Sequence, residues 1–421
     1  MSTPRFETIS VIGLGYIGLP TAAMFASRKT QVIGVDVNAH AVDTINRGEI
    51  HIVEPDLDIA VHSAVTEGYL RATTQPKPAD AFLIAVPTPF RDNDHEANLD
   101  YIEAAARALA PVLRVGNLVV LESTSPVGTT ERLAGWLAEE RPDLSFPQSA
   151  GEDSDVRIAY CPERVLPGRV MQELIHNDRV IGGMTARCSG AAVALYKLFV
   201  EGECVVTNAR TAEMAKLTEN SFRDVNIAFA NELSLICDRL GINVWELIAL
   251  ANRHPRVSIL QPGPGVGGHC IAVDPWFIVS KTPDEARLIR TGREVNDAKP
   301  HWVLAKVKEA VARYLKANPA QVEENVTIAC YGLAFKPDID DLRESPALRI
   351  VKELADTHQG NIIVVEPNIS ALPACISDLQ KVELEEARTK AELHLFLVRH
   401  AEFRGIQVEH PELDVCGINF G

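Results

Sequence analysis

The sequence lacks closely spaced cysteines, which argues against a zinc site or a small disulfide-stapled domain. Its eight cysteines are spread over 421 residues with no Cys-x-x-Cys pair, and no cysteine–histidine cluster has the spacing of zinc ligands. We therefore expect reduced thiols, as in a cytoplasmic protein, and no bound metal.

The sequence is also short of positive charge. It contains 41 Lys and Arg against 57 Asp and Glu, for a formal net charge of −16. A chain this acidic is not expected to bind nucleic acid or an anionic membrane surface. An anionic ligand would need positive contacts that are local.

Neither a signal peptide nor a membrane span is expected. The N-terminal residues lack a basic segment followed by an apolar core, which favours a cytoplasmic location. Residues 8–27 are uncharged, but they contain three glycines and Pro20, so we expect a strand, a turn and a helix there.

The first segment with a recognisable chemistry is a glycine turn between two short apolar strands. Thr8–Ile12 is followed by Gly13-Leu14-Gly15-Tyr16-Ile17-Gly18 and a helical run, and Gln31–Val35 is followed by Asp36. The glycines allow a tight turn and close approach of the backbone to a pyrophosphate at the helix N-terminus. Asp36 can accept hydrogen bonds from both ribose hydroxyls and would repel a 2′-phosphate, which favours NAD over NADP.

Three later strands share a polar, proline-containing turn at their carboxyl ends. Ala81–Val86 leads to Thr88, Leu118–Leu121 leads to Thr124, and a strand beginning at Ile158 leads to Glu163 and Arg164. In an open parallel sheet this edge binds ligands. For either of the first two turns taken alone, ordinary turn chemistry is the preferred explanation.

A long helix is predicted from Thr211 to Leu240, since this stretch has no Gly or Pro and ends at a glycine. Lys216, Asn220 and Arg223 share one face of it. This face is either functional or a solvated, salt-paired surface, because acidic residues lie beside it. Such a helix is also a natural spine for a dimer.

The stretch 263–274 places a cysteine at the end of a glycine-rich loop. Gly263 to Gly268 leads to Cys270, and Asp274 follows four residues later. A thiol there is accessible, and nearby backbone N–H groups could lower its pKa, as a covalent catalyst requires. The alternative is a tight turn ending in a small buried cysteine.

A second strand–turn–helix set begins near Val326. Strands are predicted at Val326–Tyr331, Asn361–Val365 and Leu393–Val398, with a helix from Pro346. The first turn keeps one glycine instead of three, so we expect a duplication of topology and not of sequence. Lys336, Arg343 and Glu344 crowd this turn, where phosphate could bind or where a charged surface loop could lie.

The order of these motifs resembles the UDP-glucose/GDP-mannose dehydrogenase family along essentially the whole chain. Segments 158–168, 217–226 and 252–257 look like the branch that acts on UDP-N-acetyl-D-mannosamine. The UDP-glucose branch commonly has Pro-Lys-Asp after the cysteine, where Ala272-Val273-Asp274 stands here, and a Phe-Leu continuation where Val165-Leu166 stands. Both departures favour an N-acetylamino sugar.

The resemblance implies an oxidation of the sugar C6 alcohol to an acid, with two NAD⁺ reduced to NADH, in the synthesis of a bacterial surface polysaccharide of the enterobacterial common antigen type. Cys270 would hold the sugar as a thiohemiacetal and then a thioester. Lys216 and Asn220 would stabilise the charged oxygen. Glu163, Asp274 and Thr124 would serve water activation and the lysine.

Binding residues are also implied. NAD would contact Gly13, Gly15, Tyr16, Ile17, Gly18, Asp36, Thr88, Thr130 and Arg343. The UDP-amino sugar would contact Arg164, Val165, Lys216, Asn220, Arg223, His254, Arg256, Gly267 and Lys336.

The expected fold is α/β, with two Rossmann-like doubly wound domains joined by a helical middle domain that contains a long central helix. The expected domains are an NAD-binding domain over 1–206, a helical dimerisation domain with the cysteine loop over 207–315, and a UDP-sugar-binding domain over 316–421. A homodimer through the middle domain is expected.

Three other functions stay open. A dehydrogenase for UDP-N-acetylglucosamine or UDP-glucose would share every motif. A one-step hydroxyacid dehydrogenase also uses a Lys/Asn helix, but it needs no Cys270 and forms one NADH per substrate. A non-catalytic nucleotide-sugar sensor would not need the cysteine, lysine and two carboxylates together.

Overall fold

The computed structural model describes residues 5–52, 54–91, 95–166, 168–268, 270–408 and 412–418. The chain divides into two compact units, Met1–Glu219 and Asn220–Gly421. The division into three domains stays a prediction.

The first unit is built on an eight-stranded sheet of short, buried, mostly β-branched strands. The strands are β1 (Thr8–Ile12), β2 (Gln31–Val35), β3 (Leu70–Thr73), β4 (Ala81–Ile84), β5 (Leu118–Leu121), β6 (Arg157–Tyr160), β7 (Arg179–Gly183) and β8 (Cys204–Asn208). Their order is β3-β2-β1-β4-β5-β6-β7-β8, and every neighbouring pair is parallel except β6 and β7. The direction of the chain through the sheet reverses between β1 and β4, where open α/β sheets bind ligands.

Helices cover both faces of this sheet. They are α1 (Gly18–Ser27), α2 (Ala39–Asn46), α3 (Leu57–Thr66), α4 (Asp100–Leu109), α5 (Thr129–Glu140), α6 (Pro147–Ala150), α7 (Val170–His176) and α8 (Ala186–Tyr196). Alternate strand residues face α1, α3, α7 and α8 on one side and α4 and α5 on the other. The unit is therefore doubly wound, as predicted.

A long helix, α9 (Ala209–Leu240), follows β8 and crosses from the first unit into the second. Its predicted end at Leu240 is confirmed, and it begins two residues before the predicted start. The second unit continues with α10 (Val244–Ala251), α11 (Asp274–Lys281) and α12 (Arg287–Ala317).

A five-stranded parallel sheet completes the second unit. Its strands are β9 (Ile328–Tyr331), β10 (Ile362–Val365), β11 (Gln380–Lys381), β12 (Leu393–Phe396) and β13 (Glu412–Asp414), in the order β11-β10-β9-β12-β13. Helices α12 and α13 (Pro346–Thr357) pack on one face and α14 (Leu384–Lys390) on the other. The predicted second Rossmann-like sheet is confirmed.

Helix α12 was not predicted. It runs for 31 residues and contains Pro300 in its interior, a residue that normally ends or kinks a helix. The helix persists because its buried face, including Val303, Leu304 and Val307, packs into the core under β9 and β12. The free energy gained by burying this face outweighs the helix-breaking effect of Pro300.

The turn after β1 is held by a carboxylate. Gly13 N–H donates to the Val35 carbonyl at 2.8 Å. The Asp36 carboxylate accepts from the backbone N–H of Leu14 at 2.8 Å and of Asn38 at 2.9 Å. Asp36 itself is half-exposed, so its remaining acceptor positions face outward.

The turn after β9 repeats this arrangement with different exposure. Gly332 N–H donates to the Val365 carbonyl at 2.9 Å. Glu366 accepts from the N–H of Leu333 at 2.7 Å and of Asn368 at 3.0 Å, and it is buried beside His400. The duplication thus extends to the Gly-Leu turn and the acid–x–Asn corner, further than the expected duplication of topology alone.

Asp36 after β2 and Glu366 after β10 occupy equivalent positions and allow a matched pair of substitutions. Glu366→Ala is expected to lower the free energy of unfolding by about 2–4 kcal/mol, because it leaves buried N–H groups without an acceptor. Asp36→Ala is expected to cost about 1 kcal/mol or less, because water can replace a half-exposed carboxylate, and to narrow the preference for NAD over NADP. Urea unfolding of both variants checks the order, and equal losses would contradict it.

Candidate functional site

The turn after β1 fits a dinucleotide. A Cβ on Gly13 (φ +91°) would lie 2.6 Å from the Ala85 carbonyl oxygen, and one on Gly18 would lie 1.8 Å from the Gly13 carbonyl oxygen. A Cβ on Gly15 would meet nothing within 4 Å. Gly13 and Gly18 are thus required because a side chain there would collide with neighbouring carbonyl oxygens. Gly15 instead borders open space that a pyrophosphate can fill. Helix α1 has no side-chain cap and no acidic residue in its first turn, so its N-terminus suits an anion.

Hydrogen bonds join the turn after β4 to the turn after β5, beside this glycine turn. The Thr88 hydroxyl donates to the Thr124 carbonyl at 2.7 Å, and the Ser123 hydroxyl donates to the Val86 carbonyl at 2.7 Å. Two residues that the sequence assigned to different roles, Thr88 and Thr124, are therefore neighbours at the ligand edge of the sheet.

Thr130 lies at the start of α5 and is fully buried. Its hydroxyl and its N–H both donate to the Glu213 carboxylate, at 2.6 and 2.7 Å, and Gly128 N–H donates to the other oxygen at 2.6 Å. Glu213 is on α9, one turn before Lys216. Glu213, which ties this helix to the β5–α5 turn, was not predicted from the sequence.

Glu163 and Arg164 follow β6 and are both fixed in place. Glu163 is paired with buried Arg179 at 2.7 Å and accepts from the Arg164 N–H at 2.7 Å. The Arg164 guanidinium pairs with Glu219 on α9 at 2.6 Å. Half-buried Lys216 lies one turn before Glu219 on that helix, and Val165 packs on the core beneath.

In the second unit, the cysteine loop ends at α11. Cys270 is exposed, and its carbonyl accepts from the Asp274 N–H at 2.9 Å. The buried Asp274 carboxylate accepts a short hydrogen bond from the Asn220 side-chain amide. Three predicted catalytic residues, Cys270, Asp274 and Asn220, are thus connected directly.

The same loop packs against the segment that follows β9. A Cβ on Gly267 would lie 2.5 Å from the Glu344 carbonyl oxygen, and Gly268 N–H donates to the Arg343 carbonyl at 3.1 Å. This brings Gly267 to the turn that carries half-buried Lys336. The Arg343 guanidinium is partly exposed and pairs with Asp341 at 2.6 Å.

The remaining predicted sugar-binding cations, Arg223, His254 and Arg256, have exposed side chains. Arg223 is on α9, and the other two follow α10. The catalytic and binding roles that the sequence suggests for these residues stay predictions. The hydrogen bonds and ion pairs show how several of the side chains are held.

Models of one enzyme family match three successive parts of the chain. They are the NAD-binding domain (residues 7–200), the central domain (210–298) and the UDP-binding domain (329–414) of UDP-glucose/GDP-mannose dehydrogenases. The chain belongs to the UDP-glucose/GDP-mannose dehydrogenase family. It is therefore an NAD-dependent dehydrogenase, and the predicted family and cofactor are confirmed.

Two relatives and one solved structure illustrate the similarity within the UDP-glucose/GDP-mannose dehydrogenase family. The chain is 69% identical over 407 residues to UDP-N-acetyl-D-mannosamine dehydrogenase of Yersinia pestis, covering 96% of both chains. It is 65% identical over 404 residues to NDP-N-acetyl-D-galactosaminuronic acid dehydrogenase of Ralstonia nicotianae, covering 96% of this chain and 93% of that one. The structure of a UDP-D-ManNAc dehydrogenase from Pyrococcus horikoshii superposes with a TM-score of 0.86 at 37% identity, covering 98% and 96% of the two chains.

One cluster in this dehydrogenase resembles a metal site in composition. Ligand atoms of Asp338, His400 and Glu402 lie within 4.8 Å of one another. However, His400 Nδ1 accepts from the Asp338 N–H at 2.9 Å, and Nε2 faces Glu366 Oε2 at 3.1 Å. Both ring nitrogens of His400 are already hydrogen-bonded, so the cluster is poorly suited to hold an ion. Separately, none of the helices in the described ranges has the length and apolarity needed to cross a bilayer.

A buried polar group lies behind Glu163. The aromatic ring of Tyr196 packs under the Arg179 guanidinium at 5.0 Å, and its hydroxyl donates to Glu122 at 2.6 Å. Burial raises the pKa of Glu122 to about 7, against the opposing charge of Arg179. Burial also raises the pKa of the neighbouring Cys161 thiol to about 12, so this cysteine is an unreactive thiol at neutral pH.

Glu122 makes stability depend on pH. Unfolded Glu122 ionises near 4.5 while the folded group stays protonated up to about 7, so its contribution is present below 4.5 and is lost as the pH rises through 7. Glu122→Gln keeps the acceptor for Tyr196 and does not ionise. The variant is expected to equal the wild type near pH 4.5 and to exceed it by about 3 kcal/mol above pH 7.

Urea unfolding of both proteins at a series of pH values measures this difference. The other charged or titratable groups that face Glu122, namely Arg179, Glu163, Cys161 and Tyr196, are common to both proteins. A difference that stays constant across the range would contradict the assignment.

Proposed function

We propose that this dehydrogenase oxidises C6 of UDP-N-acetyl-D-mannosamine to the carboxylate: UDP-sugar alcohol + 2 NAD⁺ + H₂O gives UDP-sugar carboxylate + 2 NADH + 3 H⁺. The observation that carries the proposal is the exposed Cys270 at the end of a glycine loop, next to the bonded pair of Asp274 and Asn220. High identity to a relative named for this sugar supports the substrate.

Cys270 holds the half-oxidised sugar. Its thiolate adds to the C6 aldehyde, so that a C–S bond forms as the C=O π bond opens and the oxygen takes up a proton. Loss of the second hydride from the same carbon, together with loss of the hydroxyl proton, leaves a thioester, which water cleaves to the acid and the free thiol. The aldehyde is therefore never released.

Lys216 and Asn220 stabilise the charged oxygen in these steps. They lie one turn apart on α9, and the Asn220 amide has one N–H on Asp274 and a second N–H to offer. A preorganised donor of this kind is worth about 3–4 kcal/mol of transition-state stabilisation. Asp274 orients the amide.

Glu163 and Thr124 place and activate the water. The Arg179 ion pair and the Arg164 N–H hold the Glu163 carboxylate at the carboxyl end of β6. Thr124 lies after the neighbouring strand β5. When bound, NAD⁺ supplies the hydride acceptor, and the Gly13–Gly18 turn, Asp36 and Thr88 bind it.

The sugar nucleotide is an anion bound by an acidic protein, so local cations carry its recognition. We assign this role to Arg164, Arg223, Arg256 and Lys336, and we propose that Val165, His254 and Gly267 make the remaining contacts with the sugar nucleotide. The proposal includes cytoplasmic location and a place in bacterial surface polysaccharide synthesis, of the enterobacterial common antigen type. The cysteines Cys161, Cys188, Cys204, Cys237, Cys270, Cys330, Cys375 and Cys416 are all unbridged, in keeping with a reducing compartment.

A second candidate substrate is favoured by the relative that is 65% identical and named for N-acetyl-D-galactosaminuronic acid. The two candidates, and the UDP-N-acetylglucosamine and UDP-glucose alternatives, differ in sugar configuration or acetamido group. Values of kcat/KM for the four UDP-sugars separate them. A preference for any sugar other than UDP-N-acetyl-D-mannosamine would overturn the substrate assignment.

Cys270→Ser tests the covalent step. The hydroxyl is a far weaker nucleophile at neutral pH, so turnover is expected to fall by at least about 10³-fold while NAD binding and the melting temperature are retained. Cys375→Ser, at another exposed cysteine, is the matched control and should keep full activity. One NADH per sugar in the wild type, or near-normal turnover of Cys270→Ser, would refute the reaction.

We further propose that the enzyme is a homodimer formed through α9. Phe222, Phe229 and Ile236 recur every seven residues on this helix and are 68%, 52% and 44% exposed. We call these three residues the α9 stripe. Large apolar side chains repeated along one helix face favour a helix of a second copy as partner.

Charge placed in the α9 stripe is expected to dissociate the dimer. Phe222→Asp combined with Phe229→Asp should shift the sedimenting species to the monomer mass of 46.0 kDa. Tyr101→Asp, at another exposed aromatic residue that is 50% accessible on α4, should leave the dimer intact. A monomeric wild type, or a double variant that stays dimeric, would exclude this interface.

A further inference from the structure

The cysteine loop is fastened to α9 at both ends. Asn220 bonds to Asp274 at the C-terminal end of the loop, and Asn231 bonds to Gly263 at its N-terminal end. The two asparagines are eleven residues apart, which is about three helical turns, so they share one face of α9. The proposed reaction uses Asn220 and gives Asn231 no role.

Both ends of the Asn231 amide are occupied. The side chain is fully buried. Its Oδ1 accepts from the Gly263 N–H at 2.9 Å, and its Nδ2 donates to Asn296 Oδ1 on α12 at 2.8 Å. The side chain therefore joins the start of the loop to a second helix.

A buried carboxylate fixes the direction in which these amides face. Asn296 Nδ2 donates to the Asp224 carboxylate at 2.8 Å, and Arg293 pairs with the same carboxylate at 2.6 Å. A carboxylate paired with arginine can only accept, so Asn296 must present its NH₂ to Asp224 and its oxygen to Asn231. Asn231 must then present its oxygen to Gly263.

The cysteine loop also passes close to the turn of α12 that precedes Pro300. Pro300 has no N–H, so the Asn296 main-chain carbonyl has no helical donor four residues on. Gly265 passes close to this carbonyl, and a Cβ there would lie 3.2 Å from the oxygen. The main-chain carbonyl of Asn296 thus faces the cysteine loop, while its side chain bonds to Asn231 and Asp224 on α9.

We propose that Asn231 is a positioning residue for the Cys270 thiol, with its amide oriented by Asn296 and Asp224. It fixes where the loop begins, as Asn220 and Asp274 fix where it ends, and the thiol is held between these two points. The inference rests on the proposed function, since its consequence is efficient capture of the aldehyde. A displaced thiol would let aldehyde escape before the second oxidation.

The test uses Asn231→Leu, which removes both bonds, and Asn231→Ser, which is smaller and guards against misfolding. Asn117→Leu is the matched control. Asn117 is also buried, accepts from the Arg114 N–H at 2.7 Å and donates to the Ala79 carbonyl at 2.9 Å, but it precedes β5 at the opposite end of the strand from Thr124.

Two quantities are measured in the full-length enzyme. The first is the number of NADH formed per UDP-sugar consumed, together with free aldehyde trapped by a hydrazine reagent. The second is hydrogen–deuterium exchange of peptides that cover residues 263–274, in the absence of ligands.

The expected result for both Asn231 variants is a fall of about 100-fold in kcat with little change in KM for NAD. The NADH yield should drop below two per sugar, with the deficit recovered as aldehyde, and exchange in the loop should be faster. Asn296→Leu should show the same changes to a lesser degree, because the Asn231 oxygen still accepts from the Gly263 N–H and only the acceptor that orients the Asn231 NH₂ is lost. Asn117→Leu should lower stability without altering the NADH yield.

The outcomes separate the two proposals. A wild type that forms one NADH per sugar would refute the proposed reaction itself. A wild type that forms two, together with Asn231 variants that also form two and exchange normally in the loop, would overturn the positioning role. Release of aldehyde by Asn117→Leu would do the same, since general destabilisation would then suffice.

Discussion

Carboxylates that accept hydrogen bonds from backbone N–H groups hold the turns on which both units depend. Where a parallel strand ends or a helix begins, backbone N–H groups have no partner in the sheet or helix and need an acceptor. Asp36, Glu213 and Glu366 supply it, at distances of 2.6 to 3.2 Å. Part of the acidic excess of the chain is therefore structural, and it makes rigid the turns that face ligands.

Helix α9 combines this role with three others. Glu213 ties it to the β5–α5 turn, Lys216 and Asn220 present polar groups one turn apart, and Asn231 reaches the start of the cysteine loop. Its exposed apolar stripe lies on other positions of the same helix. A single helix can do this because residues three, four and seven apart share a face, while those between them point elsewhere.

The sequence was sufficient for features that have a local signature. The strand–glycine–helix turn, the acid at the end of β2, the long helix and the cysteine loop are each written within a short stretch of the chain, and the structure has each of them. Helix α12 was missed because Pro300 gives a local signal that distant packing overrides. Glu213, Asn231 and Arg179 were missed for another reason. Each acts through partners that are 16 to 85 residues away, and no spacing rule connects them.

The Glu366 carboxylate of the second sheet, whose oxygens are already hydrogen-bonded, has a consequence for the order of steps in turnover. Glu366 is buried with both oxygens occupied, Oε2 by the turn N–H groups and His400 and Oε1 by Asn368, whereas half-exposed Asp36 at the equivalent position keeps acceptors for a ribose. Of the two corners, only the first can receive a dinucleotide. In the proposed reaction, the two hydrides removed from one sugar are then accepted in succession by dinucleotides bound at this one site. In that reaction the reduced dinucleotide has to depart and a fresh molecule has to enter while the sugar stays bound, so the proposed thiol-bound intermediate would have to persist through one full exchange of coenzyme.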